Sequence, residues 1–217
     1  MIDSETLSQI AETYPWASWA IWDDQFPDDG CVETDPEALR AFFEAHRSAL
    51  TPDVVFLGLN RSGDFDAPFQ NFHAPTRKHY DYRLMEFIQD GELGRLWGGY
   101  MTDLVDHVEP NTDSVTVSDE DAAILLSQLE LLDQREYHVV CFGEKTYRSV
   151  LEYAGGESES GPHELEVTQT EVDGLVLHLY RAWFYGAWGA NADKVDVLER
   201  QLQYLDSTIP APGAGQS

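Results

Sequence analysis

The residues able to do chemistry are concentrated in one stretch of this chain. Between Gly58 and Arg83 the sequence runs GLNRSGDFDAPFQNFHAPTRKHYDYR, with no helical or alternating apolar period. Asn60 stands just beyond the point where a run of apolar residues ends. Asn71, Phe72 and His73 follow one another, combining a hydrogen-bonding edge, an aromatic face and a titratable ring. Arg61, Arg77, Lys78 and Arg83, with His79, gather a large share of the positive charge in a chain that has only 13 Lys and Arg residues. That grouping fits phosphate recognition, and equally a set of local ion pairs with Asp64, Asp66 and Asp81. Outside this stretch two further features qualify. Asp103 lies in the apolar segment YMTDLV, and Trp183, Phe184 and Tyr185 crowd an aromatic, Gly-rich loop.

Several chemistries are excluded because their spacing is missing. There is no Walker loop, no GxGxxG, no HExxH and no GxSxG elbow. Among seven histidines only His73 and His79 share a loop with acids, so neither a metal nor a cofactor is expected. Cys31 and Cys141 lie far apart, and Cys141 falls in an apolar run where a thiol packs as a small hydrophobe. The 40 acidic residues against 13 basic ones give a formal charge of -27. Repulsion on that scale is relieved where salt shortens the Debye length to about 3 Å, near 1 M. The composition therefore predicts a halophilic acidic protein; the alternative is a surface that mimics nucleic acid or meets a basic partner. No apolar stretch reaches the roughly 18 to 20 residues of a membrane span, and the first residues lack a signal-peptide layout. A cytoplasmic protein without membrane contact is expected.

The elements that must position these residues follow from periodicity. Val54-Val55-Phe56-Leu57 reads as a strand buried on both faces, delivering Gly58 and Asn60 to the carboxyl edge of a sheet. Tyr100 to Leu104 and His138 to Phe142 read as further buried strands, and Leu175 to Tyr180 as the last, reached through a hairpin at Asp173-Gly174. Helices are predicted over 4–14, from Pro36 to about Leu50, from Asp81 or Tyr82 through Ile88, after Ser118, over 144–154 and over 192–205. Ser118 and Asp121 form an approximate capping box. The tryptophans of PWASWAIWDDQFPDDG are expected to be core anchors of a surface-hugging segment rather than base-stacking platforms, and GGESESGP to be unstructured. Strand, loop and helix thus recur, which predicts a three-layer α/β sandwich with a mostly parallel sheet of about four strands. One domain over 1–206 is expected, with a disordered tail over 207–217.

The order of four short motifs resembles a known family. GLN after the first strand, Asn-Phe-His in the next loop, TDLV ending the second strand, and a strand running into Gly143-x-x-x-Tyr147 are similar to the uracil-DNA glycosylase superfamily. The nearest branch is the mismatch-specific one, whose motifs read similar to GINPG, TNLV and LGxxAY. The resemblance covers roughly Val54 to Tyr153. It implies a glycosylase-like fold, a DNA or nucleobase-containing ligand, and excision of a damaged or mismatched base by hydrolysis of its N-glycosidic bond. Asn60 then matches the residue that positions the attacking water, and Gly58 the one that lets backbone approach the base. Phe72 matches the stacking residue, with Asn71 and His73 beside it, and Asp103 stands where the family has a base-reading Asn. Arg61, Arg77, Lys78 and Arg83 would take phosphates. Two departures stand out: Arg61-Ser62 replaces the usual Pro-Gly or Pro-Ser, and the His-Pro-Ser-like turn after the last strand is absent. In its place stands HLYRAWFYGAWGAN, where Trp183, Phe184 and Tyr185 are the candidate wedge or lid. The competing expectations are a non-catalytic module that binds a nucleobase or single-stranded nucleic acid, and a hydrolase of a small nucleoside. A monomer is expected.

Overall fold

The apolar run at Val54 becomes the middle of a sheet in the computed structural model, which describes residues 2–22, 36–61, 63, 68–73, 80–186 and 192–211. Its strand, β2 (Thr51–Asn60), lies between β3 (Gly99–Val105) and β4 (Glu136–Phe142), parallel to both. Val54, Val55, Phe56 and Leu57 are all fully buried, the result expected for a strand covered on both faces. Pro52 cannot donate to a ladder, and the register with β3 shifts between Thr51 and Val55 beside it. The last strand, β7 (Leu175–Ala182), pairs parallel with β4.

The remaining strands are antiparallel. β1 (Ser18–Trp19) pairs with β3 at one edge. β6 (Glu166–Val172) pairs with β7, and β5 (Glu159–Ser160) pairs with β6 at the other edge. The sheet therefore has seven strands in the order β1-β3-β2-β4-β7-β6-β5, which corrects the expected number of about four. Two-residue strands have too few positions to alternate, so β1 and β5 leave no periodic signal. Their placement also bears on two local readings. Trp19 is a core anchor, fully buried and edge-on to Tyr100 with ring centroids 5.1 Å apart. Part of GGESESGP, expected to be unstructured, is paired in β5.

Side chains alternating along the central strands feed two separate apolar clusters. Val55, Leu57, Tyr100, Val139 and Cys141 meet residues of α1 (Ser4–Thr13), α2 (Pro36–Ala45), α4 (Asp119–Leu131) and α5 (Glu144–Ala154). Val54, Phe56, Met101, Val140 and Phe142 meet α3 (Tyr80–Met85) and α6 (Lys194–Thr208). On this second face Phe56 and Phe142 stack with ring planes 5° apart. α4 carries the expected capping box of Ser118 and Asp121, an arrangement that contributes about 1 kcal/mol. Its buried Gln128 accepts from Tyr100 Oη at 2.8 Å and Thr102 Oγ1 at 2.9 Å, tying β3 to the helix.

Boundaries moved where turns intervene. α2 stops at Ala45 and a 3-10 turn covers Arg47–Ala49; its expected cap at Thr34 or Asp35 lies outside the described residues. A π-helical turn, Glu86–Asp90, continues α3. α6 runs to Thr208 and Ile209 packs into the core, so order extends past 206, while 212–217 lie outside the described residues. No helix among the described residues is long and apolar enough to cross a membrane.

Candidate functional site

The register of β2 and β3 creates the site. Gly58 sits directly opposite Asp103, near the carboxyl ends of two adjacent parallel strands. A Cβ at Gly58 would lie 2.1 Å from Asp103 Oδ1 and 3.5 Å from Phe72 Cζ, so only glycine leaves room for that carboxyl. Asn60, two residues on, shares the face of β2 that Gly58 occupies.

The loop after β2 returns to the same spot. Asn71 Nδ2 donates to Asp103 Oδ2 at 2.8 Å and to the main-chain oxygen of Trp16 at 2.7 Å. Asn71 Oδ1 accepts from the Phe72 amide at 3.1 Å. Phe72 holds a left-handed backbone conformation, φ 64, as does Phe69 with φ 71. Such geometry costs about 1 kcal/mol or more at a non-glycine residue, and here it is over-determined from both ends. Ser18 Oγ donates to the Phe69 carbonyl, and Phe69 packs 4.8 Å from Phe43.

Burial decides the chemistry of Asp103. Loss of water pushes its carboxyl up from 3.8 to about 7; the Asn71 hydrogen bond and Arg61 pull it down, and Asp81 pushes it further up. At neutral pH the group is divided between donor and acceptor forms. Because Asn71 always donates to Oδ2, the proton of the neutral acid belongs on Oδ1, the oxygen packed over Gly58. Tyr185 completes this side. It is buried, hydrogen-bonded to Asp81, and held well above its ordinary value by burial and by the charges of Asp81 and Asp103. Asp81 and Tyr185 are partners that sequence spacing did not link to Asp103, because 22 and 82 residues separate them from it.

Asn60 closes the strand with its amide group already committed. Nδ2 donates to the carbonyls of Arg61 and Glu109, both at 2.8 Å. Those two bonds fix the carboxamide plane, and Oδ1 accepts no hydrogen bond from the described residues.

Other expected site residues are placed differently. His73 is a core histidine, buried between Trp22 at 5.6 Å and Phe43 at 5.7 Å. Burial lowers its value to about 4, against a hydrogen bond with the Trp19 main chain, and its Nε2 has no partner among the described residues. This corrects the expectation that it reads a ligand edge. Arg61 donates from Nε to the Asp106 carbonyl, and Arg83 from Nη1 to the Tyr185 carbonyl at 2.8 Å. Arg77 and Lys78 lie outside the described residues. Of the three aromatics after β7, Trp183 lies under Arg181 and Lys194. Tyr185 is core, edge-on to Phe142 at 5.0 Å. Phe184 alone is exposed, at 41%, and shares that property with Tyr80, at 44%; a Cβ at Gly186 would touch both rings.

No family model matches the chain, and no curated protein matches it.

Proposed function

We propose that this chain is a divergent relative of the uracil-DNA glycosylases that receives an extruded nucleobase at the carboxyl edge of β2 and β3 and hydrolyses its N-glycosidic bond. The architecture that goes with this reading is a three-layer α/β sandwich around the parallel block β3-β2-β4-β7. One observation carries it: Gly58, Asn71, Phe72 and Asp103, from two strands and a loop, meet within contact distance at that edge.

Each has a task the reaction demands. The Phe72 ring is a stacking surface for a base taken out of its helix. Gly58 lets backbone come close to the base where any side chain would strike Asp103. Neutral Asp103 donates to a carbonyl oxygen of the base, on which negative charge builds as the C1′–N bond breaks and its electron pair leaves with the base. In a chain without the His-Pro-Ser turn, this is the group able to supply that donor. Asn60 Oδ1 accepts from a water whose oxygen adds to C1′, and the water's proton passes to solvent or to the departing base. Arg61 and Arg83, with Arg77 and Lys78, are the residues assigned to phosphate contact, and exposed Phe184, beside Tyr80, is the candidate wedge or lid.

The test is base excision in molar KCl from oligonucleotides carrying uracil, hypoxanthine or a mismatched base, read as alkali-labile abasic sites. Abasic sites are expected from at least one substrate. Binding of those oligonucleotides without any abasic product replaces this reading by the non-catalytic module.

A further inference from the structure

A second cluster of potential ligands lies away from the carboxyl edge, near the amino end of β4. Glu136 and His138 are two residues apart on one face of that strand, and His178 is the residue paired with His138 on β7. One ligand atom from each lies within 4.8 Å of the others, the only such trio of His, Cys, Asp or Glu among the described residues. The two imidazoles stack with centroids 4.7 Å apart and planes 15° apart, and His178 Nε2 meets Glu136 Oε1 at 2.7 Å. Sequence spacing singled out only His73 and His79, not this pair. The two are 40 positions apart in the chain, and only the parallel register unites them.

We propose that Glu136, His138 and His178 bind a first-row divalent transition ion of the Zn2+ or Co2+ type, independently of base excision. Two imidazoles and one carboxylate form a nitrogen-rich set that favours such ions over Mg2+ or Ca2+, which take oxygen ligands. Three protein ligands leave a fourth position for water, the pattern of an open rather than a closed site. Two strands of one sheet hold the histidines, so little order has to be gained on binding. Tyr180 Oη stands 2.9 Å from His138 Nδ1 and orients that ring, the outer-shell support that ligating histidines use. Access is open, because the Glu136 side chain is 58% exposed and that of His178 19%. Two movements bring the ligands together: Glu136 swings outward, since tetrahedral ligands at about 2.0 Å from the ion stand about 3.3 Å apart, and the His178 ring turns out of its stack so that both in-plane lone pairs meet at the ion. The neighbouring charges, Arg95 and Asp53, already form a salt bridge with each other.

The experiment is a titration of the chelator-treated full chain with Co2+ and then Zn2+ in molar KCl. The high salt suppresses loose binding to surface carboxylates. Heat of binding, the visible Co2+ spectrum and the thermal midpoint are read together. One equivalent is expected to bind, with a rise in thermal midpoint. Loss of a ligand in His178→Ala is expected to weaken binding more than about 100-fold, and loss of the supporting hydroxyl in Tyr180→Phe about tenfold. Glu136→Gln, at an exposed position that does not hold the fold, is expected to weaken it at least about tenfold. Absence of saturable binding near one equivalent overturns the proposal. So does binding of unchanged affinity in both Glu136→Gln and His178→Ala.

Discussion

Replacing Asp103 by Asn isolates the energetic consequence of burying that carboxyl. In the folded chain its value is raised from 3.8 to about 7, chiefly by loss of water. Folding therefore favours the neutral acid, and the folded state binds the proton that the unfolded chain has already released. The contribution is full below pH 3.8 and is lost as pH climbs through about 7. The whole difference is at most about 4 kcal/mol, of which about 3 kcal/mol falls between pH 5 and pH 8. Asn has nearly the same shape, still accepts from Asn71 Nδ2, and carries no charge at any of these values. Urea unfolding of both proteins in molar KCl from pH 5 to pH 8 gives the assay, because every other titrating group is common to both. The stability of Asp103→Asn relative to wild type is expected to rise with pH by about 3 kcal/mol over that range. A difference that stays flat would mean that Asp103 ionises as an ordinary carboxylate, and the donor assigned to it would fail.

Three other perturbations address neighbouring parts of the account. Gly58→Ala places a Cβ 2.1 Å from Asp103 Oδ1, so it is expected to destabilise by about 1 to 3 kcal/mol and to abolish base binding, measured by urea unfolding and ligand titration. His73 is depressed from 6.5 to about 4 by burial, so its contribution is full above 6.5 and is lost as pH falls toward 4. His73→Phe is expected to remove up to about 3 kcal/mol of acid sensitivity, visible as a flatter stability profile between pH 6.5 and pH 4. With a formal charge of -27, the thermal midpoint is expected to rise steeply from low salt to molar KCl; a flat midpoint would remove salt adaptation as the reason for the acidity.

What could be read from the sequence was what short-range pattern determines. The buried run from Val54, the Ser118 capping box and the Asp173-Gly174 hairpin each follow from residues a few positions apart, and each is present. Gly58 and Asp103 were legible as types because a glycine and an acid interrupt apolar strands, and Asn71 and Phe72 because they lie in a loop without apolar period. Their convergence was not, since it depends on a register that sets Gly58 opposite Asp103. The same limit hid Asp81, Tyr185 and the Glu136, His138 and His178 trio. His73 misled for a different reason. It lies in a loop without apolar period, which gives no sign of burial, while its neighbours in space, Trp22 and Phe43, come from segments before β2.

The central claim is that a water held by Asn60 attacks the sugar of a base seated against Phe72 and Asp103. Single-turnover excision by wild type and Asn60→Ala, on whichever base-modified oligonucleotide wild type processes, tests it most directly when binding is measured alongside. The account predicts that Asn60→Ala binds the oligonucleotide as wild type does and loses about 100-fold or more in the rate of abasic-site formation. Excision at an undiminished rate by Asn60→Ala would contradict it.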